Sequence, residues 1–134
     1  MAKRVLVLDD DIAVLEAIET ALTYEDFEVK TLGRTYNIIK TVEEYNPDVI
    51  LLDFILDGIS GGELCKQIKS NSRTKHLPVI IISAYQGNIE ALRQFGCDHF
   101  IPKPFDLTEL HSGINQVLNM DKASTSEKSL NQNF

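Results

Sequence analysis

No stretch of this chain approaches the roughly 20 consecutive apolar residues that a membrane-spanning helix requires. The one apolar run near the start, Val5 to Leu8, follows Lys3 and Arg4 but meets Asp9, Asp10 and Asp11 at once. A secretory leader needs a longer apolar stretch and a small-residue cleavage site, so the sequence reads as cytoplasmic and without a membrane segment. Cysteine is scarce. Cys65 and Cys97 are the only two and lie far from a Cys-x-x-Cys spacing, so they are expected as reduced, packed thiols. His76, His99 and His111 are scattered, which removes the His and Cys clustering expected for zinc, and none is assigned to catalysis. Positive charge is in deficit: 13 Lys and Arg stand against 20 Asp and Glu, a formal net charge of −7. That balance opposes non-specific nucleic-acid binding. No helix-turn-helix pattern is seen either, so this segment is not expected to bind nucleic acid directly. The same balance suits a site that gathers carboxylates around a cation.

What is there fits one domain. The 134 residues, 43% of them hydrophobic, suffice for a single core. Short β-like runs alternate with helical spacing. The runs are Arg4 to Leu8, Glu28 to Leu32, Asp48 to Leu52, Pro78 to Ile82 and His99 to Ile101. Between them, Leu15, Ile18 and Leu22 mark a first helix. Ile38, Ile39 and Val42 mark a second, ended near Asn46-Pro47. Ser60 with Glu63 is a capping-box pattern that opens a third helix. Ile89 and Leu92 mark a short fourth, closed by Gly96. Asp106 with Glu109 opens a fifth that carries Leu107, Leu110, Ile114, Val117 and Leu118. Continuous apolar strands imply burial on both faces. The expected architecture is α/β: a doubly wound five-stranded parallel sheet with helices on both faces. Residues 1–120 form this domain. Residues 121–134 are rich in Ser, Asn, Lys and Glu without apolar period, and read as a flexible tail or linker.

Open parallel sheets bind ligands beyond the carboxyl ends of their strands. There the first strand ends in Asp9-Asp10-Asp11, the third in Asp53, and the fourth in Ser83, while Lys103-Pro104 follows the fifth. Taken singly, each has an ordinary reading. Asp9 and Asp10 serve equally as caps or solvated acids and as metal ligands, and Asp11 is an N-cap. Asp53 alone is a loop acid, Ser83 a turn residue and Lys103 a solvated lysine. Their joint placement at four strand ends argues for one site. Clustered carboxylates raise one another's pKa until a cation or a proton relieves them. Oxygen-only ligands with room for water suit Mg²⁺.

The segments VLVLDDD, DVILLDFILDGISGGEL, PVIIISA and GCDHFIPKPF, in this order and spacing, resemble the receiver domains of two-component signalling from residue 4 to about residue 120. The resemblance implies a flavodoxin-like (βα)5 fold and a Mg²⁺-dependent phosphorelay switch. It implies Asp53 as the phosphoacceptor, attacking the phosphorus of a phosphohistidine. The donor would be a sensor histidine kinase or phosphotransfer protein. Asp10 would bind Mg²⁺ directly and Asp9 mainly through water, with Asp53 and the Ile55 backbone carbonyl completing the protein ligands. Ser83, Ala84, Lys103 and Phe100 would form the phosphoryl-binding and switch set, and Pro104 would follow a cis peptide bond. The domain would catalyse only its own phosphorylation and slow hydrolysis. Output domain and target stay unnamed, and no residue fixes a homodimer through the fourth and fifth helices.

Some positions depart from the family pattern. Asp57 stands where proline is common and is expected to face water, with Gly58 retained for the turn. Ser83 replaces the more frequent threonine but keeps the hydroxyl. The stretch from Ser83 to Lys103 is short, and Gly87 is expected to make its loop mobile. Phe95 is expected in the core rather than as a docking anchor. Ile55 and Tyr85 occupy the positions that tune hydrolysis in the family. Both are bulky, so acyl phosphate is expected to decay over minutes to hours. Two rivals stand beside this reading: a structural module that no longer takes phosphate, and an aspartyl-phosphate phosphatase, for whose substrate-covering cap the chain has no room.

Overall fold

In the computed structural model, which describes the backbone of residues 2–84 and 89–130 and the side chains of residues 2–84 and 90–119, strands and helices alternate. They run β1 (Arg4–Leu8), α1 (Ile12–Tyr24), β2 (Glu28–Leu32), α2 (Ile38–Tyr45), β3 (Val49–Asp53), α3 (Gly61–Ser70), β4 (Val79–Ser83), a 3₁₀ helix (Ile89–Phe95), β5 (His99–Pro102) and α4 (Leu107–Leu130). The five strands pair in parallel in the order β2-β1-β3-β4-β5. After β2 the chain returns past β1 to lay down β3, so the order reverses between β1 and β3. Such switch points open a crevice at the carboxyl edge.

The period of two along each strand divides the core. Val5, Val7, Val49, Leu51, Ile80 and Ile82 face one side, where Leu15, Ile18 and Leu22 of α1 and Leu110, Ile114 and Val117 of α4 cover them. Leu6, Leu8, Ile50, Leu52, Val79 and Ile81 face the other, beneath Ile38 and Val42 of α2 and Leu64, Cys65 and Ile68 of α3. Each such Leu or Ile contributes about 1.5–3 kcal/mol on full burial.

Caps start the helices where local chemistry dictates. Asp11 accepts from the N–H groups of Ala13 and Val14, and Ser60 from that of Glu63 at 3.0 Å. Asp106 and Glu109 cap reciprocally, at 2.8 and 3.3 Å. Asn46, at φ 57°, closes α2.

One element differs from the sequence expectation. The fourth helix is 3₁₀ rather than α-helical. Phe95 at its end packs on Phe54 at 5.9 Å between ring centroids, and Gly96 follows at φ 86°. Phe95 is half-buried there and packs against the α2–α3 side of the core. The segment expected as a flexible tail takes helical backbone as far as Leu130. Residues 121–130 contain neither proline nor glycine, and extending a formed helix avoids the cost of nucleating one. The expectations for Tyr85 and Gly87, and the tail from 131 to Phe134, lie outside the described residues.

No helix among the described residues is long and apolar enough to cross a membrane. Cys65 and Cys97 are unpaired thiols. Burial pushes the Cys65 thiol up to about 12, and burial followed by the charge of Asp98 raises that of Cys97.

Candidate functional site

The carboxyl edge collects the chemistry. β1 runs directly into Asp9, whose N–H donates to Leu32 O at 3.1 Å, so sheet pairing continues one residue past the strand. Asp9 is 1% exposed. A carboxylate so buried requires partners, and it has two. Its Oδ1 accepts from the Asp11 N–H at 2.9 Å, and its Oδ2 from Lys103 Nζ at 2.8 Å. Asp11 therefore caps α1 and also holds Asp9, a role that its sequence position did not disclose.

Asp53 ends β3 and is 6% exposed. Its Oδ1 accepts from the Ile55 N–H at 3.4 Å, and its Oδ2 lies 3.5 Å from Lys103 Nζ. Lys103 is therefore held more closely by Asp9 than by Asp53. Burial and the charge of Asp9 raise the Asp53 pKa above the ordinary carboxylate range, and the pull of Lys103 does not cancel them. Burial alone would lower the Lys103 pKa, but the hydrogen bond and charge of Asp9 and the charge of Asp53 outweigh it and raise it.

Asp10 is exposed. Carboxylate oxygens of Asp9, Asp10 and Asp53 all lie within 4.8 Å of one another. Three carboxylates against one ammonium leave an excess of two negative charges, and the ligands are oxygen atoms alone. This donor set fits a divalent hard cation such as Mg²⁺.

Ser83 ends β4 fully buried. Its carbonyl accepts from the Lys103 N–H at 2.8 Å, which fixes where Lys103 leaves β5. The Lys103–Pro104 peptide bond is cis. Ala84 is exposed at the rim. Phe100 is half-buried against the α2–α3 side of the core. Ile55 is 61% exposed. Asp57 faces water and pairs with Arg34 at 3.3 Å.

Two glycines matter more than the sequence reading allowed. A Cβ on Gly61 would overlap the Asp53 carbonyl oxygen, and one on Gly62 would come within 2.8 Å of the Phe54 ring and 2.9 Å of the Phe95 ring. The Gly61 N–H donates to Phe54 O at 2.8 Å, so α3 begins flush against the end of β3. The available signal was a Gly-Gly pair in the first turn of a helix, where its poor helix propensity needs a reason.

A family model described as the response regulator receiver domain matches residues 5–115. The phosphate regulon transcriptional regulatory protein PhoB of Rhizobium meliloti is 32% identical over 124 residues, 91% of this chain and 55% of that protein. The chain thus spans about half the length of that relative. A CheY-like response regulator receiver domain protein from Methanospirillum hungatei shares the fold, with a TM-score of 0.83 at 24% identity over 92% of this chain and 99% of that one. The response regulator TrrA of Thermotoga maritima, crystallised in complex with Mg²⁺–BeF, gives a TM-score of 0.76 at 28% identity over 85% of this chain and 97% of that one. The strand order, the acids that close its strands and a family match running through all five of them agree, and the chain belongs to the receiver domain family of two-component response regulators, a family of phosphoacceptor signalling domains.

Proposed function

We propose that this domain accepts a phosphoryl group on Asp53 from a phosphohistidine on a sensor histidine kinase or phosphotransfer protein, acting in the cytoplasm. The observation that carries this reading is the placement of Lys103 Nζ, 2.8 Å from Asp9 and 3.5 Å from Asp53, beside three converging carboxylates. Phosphoryl transfer asks for positioning and charge neutralisation more than for covalent assistance. Asp9, Asp10, Asp53 and the Ile55 carbonyl would hold Mg²⁺, which when bound supplies positive charge against the phosphoryl oxygens.

The chain's own groups do the rest. The Asp53 carboxylate forms a bond to phosphorus while the phosphorus–nitrogen bond to the donor imidazole breaks, its electron pair leaving with the ring. Lys103 is already poised between the two acids and turns its ammonium to a phosphoryl oxygen. Ser83 and Ala84 supply donors to another. Movement of Ser83 toward the acyl phosphate would vacate space beside β4, and Phe100 would turn inward to fill it. The switch is then a shift between two packings biased by contacts made only after phosphorylation. Bulky Ile55 offers no polar group to orient an attacking water, which supports slow self-dephosphorylation. The modified surface would act on an output domain or a separate target.

Incubation with acetyl phosphate and Mg²⁺, read by intact mass, tests the assignment. One added phosphoryl group is expected, absent in Asp53→Asn and in the presence of a chelator. An adduct that survives Asp53→Asn, or no adduct at any Mg²⁺ concentration, overturns it. Loss of the acyl phosphate within seconds overturns the expectation of slow decay.

A further inference from the structure

An ion pair outside the acid cluster bears on the same site. Arg34 Nη2 lies 3.3 Å from Asp57 Oδ2. Arg34 stands in the loop after β2 and Asp57 in the loop after β3, and β1 lies between those strands. The pair therefore spans the end of β1, where Asp9 and Asp10 follow. It borders a small cleft whose apolar wall includes Leu8, Leu56, Ile59 and Leu64.

The two ends of this span are unlike. Arg34 stands on a braced support. Leu32 O accepts from the Asp9 N–H, the Thr35 and Thr41 hydroxyls bond at 2.7 Å, and the Asn37 N–H donates to Thr35 Oγ1 at 3.3 Å. The loop after β3 is tied at its ends, by Ile55 N–H to Asp53 and by Gly61 N–H to Phe54 O. Between Leu56 and Ile59 the Asp57 carboxylate makes the only hydrogen bond or ion pair among the described residues. A firm post thus holds a loop whose other anchor between its ends is Leu56, packed against the α2–α3 side of the core, and this loop carries the Ile55 carbonyl.

We infer that Arg34 is a positioning residue for the Asp53 site, acting through Asp57 to hold the loop after β3 in its cation-binding form. The inference rests on the proposed phosphoacceptor function. Both side chains are largely exposed, so the effect is bounded. An exposed pair shifts such an equilibrium by about two- to fivefold, and apparent cation affinity falls in proportion to the competent fraction.

The sign of one substitution separates this from simple electrostatics. Removing a cation near an acidic site should tighten Mg²⁺ binding through space. Loss of positioning should weaken it. The test is calorimetric titration of the intact chain with Mg²⁺, alongside acyl-phosphate formation from acetyl phosphate. Arg34→Gln is expected to weaken Mg²⁺ binding about two- to fivefold with an unchanged melting temperature. The reversed pair, Arg34→Asp with Asp57→Arg, is expected to recover most of the loss, and Arg34→Lys part of it. Raising ionic strength at fixed free Mg²⁺ is expected to narrow the gap between wild type and Arg34→Gln, because exposed pairs are screened. Unchanged or tighter binding in Arg34→Gln, or no recovery in the reversed pair, overturns the inference while wild type still takes phosphate. A wild type that takes none overturns the phosphoacceptor reading itself.

Discussion

Asp53 holds its proton to higher pH in the folded chain than in the unfolded one, because it is buried beside Asp9. The folded state therefore binds more protons across the window between the ordinary carboxylate pKa and the raised one, and stability falls as pH rises through that window. Above it the charged side chain is a standing cost. Asp53→Asn is accordingly expected to stabilise the metal-free protein at neutral pH. The gain should vanish when pH is lowered through the carboxylate range. Urea unfolding at several pH values in the presence of a chelator checks this, and a variant less stable than wild type at neutral pH contradicts it. Cys65 is fully buried with its thiol pushed up to about 12. Thiolate is the reactive form, so Cys65 should resist iodoacetamide in the native state and label at the rate of unfolding in urea. Mass-resolved alkylation distinguishes it from half-buried Cys97.

At the scale of elements, the start of α3 is the tightest joint in the fold. Gly61 has no room for a side chain against the Asp53 carbonyl. Gly61→Ala must push α3 off β3 or move the backbone that carries Asp53. A cost of about 1–3 kcal/mol is expected, together with slower phosphorylation. Ser60→Ala removes only the cap on Glu63 and is expected to cost about 1 kcal/mol while leaving the phosphorylation rate intact. Thermal melts and acetyl phosphate kinetics on the pair separate stability from positioning.

The same elements show what the sequence could disclose. Strands β1, β3 and β4 and the caps at Asp11, Ser60 and Asp106 were legible because their signals are local: β-branched runs and short side chains at fixed offsets. The acids at the strand ends were legible because the sheet rule says where to look. The 3₁₀ helix from Ile89 to Phe95 was not, since seven residues with two periodic apolar positions fit either helix type. The backbone of residues 121–130 was not, because a polar stretch carries no period and its helix is inherited from the packed turns before it. The Arg34–Asp57 pair was not, because its members are 23 positions apart and only the strand order brings their loops together.

Across the whole molecule, the excess negative charge at one edge couples metal binding to stability. A ligand that binds only the folded state stabilises it by mass action, by about 2.7 kcal/mol at a concentration 100-fold above its Kd. Mg²⁺ is therefore expected to raise the melting temperature by several degrees. A chelator should reverse the rise, and Asp10→Asn should blunt it. Among the residues whose side chains are described, the last core contacts of α4 are made by Val117 and Leu118, and a chain ending at residue 120 is expected to keep both its melting temperature and its rate of phosphorylation. A clear loss of either would show that the later turns of α4 support the fold.

Lys103 and Asp9 meet although 94 positions separate them along the chain. During synthesis the first acid leaves the ribosome long before its lysine partner has been translated. A nascent chain arrested before Lys103 clears the exit tunnel displays its aspartates but lacks the cation that gathers them. On the proposed phosphoacceptor reading, the site is therefore complete only once β5 has emerged, and a chain arrested before it should take up phosphate from acetyl phosphate poorly.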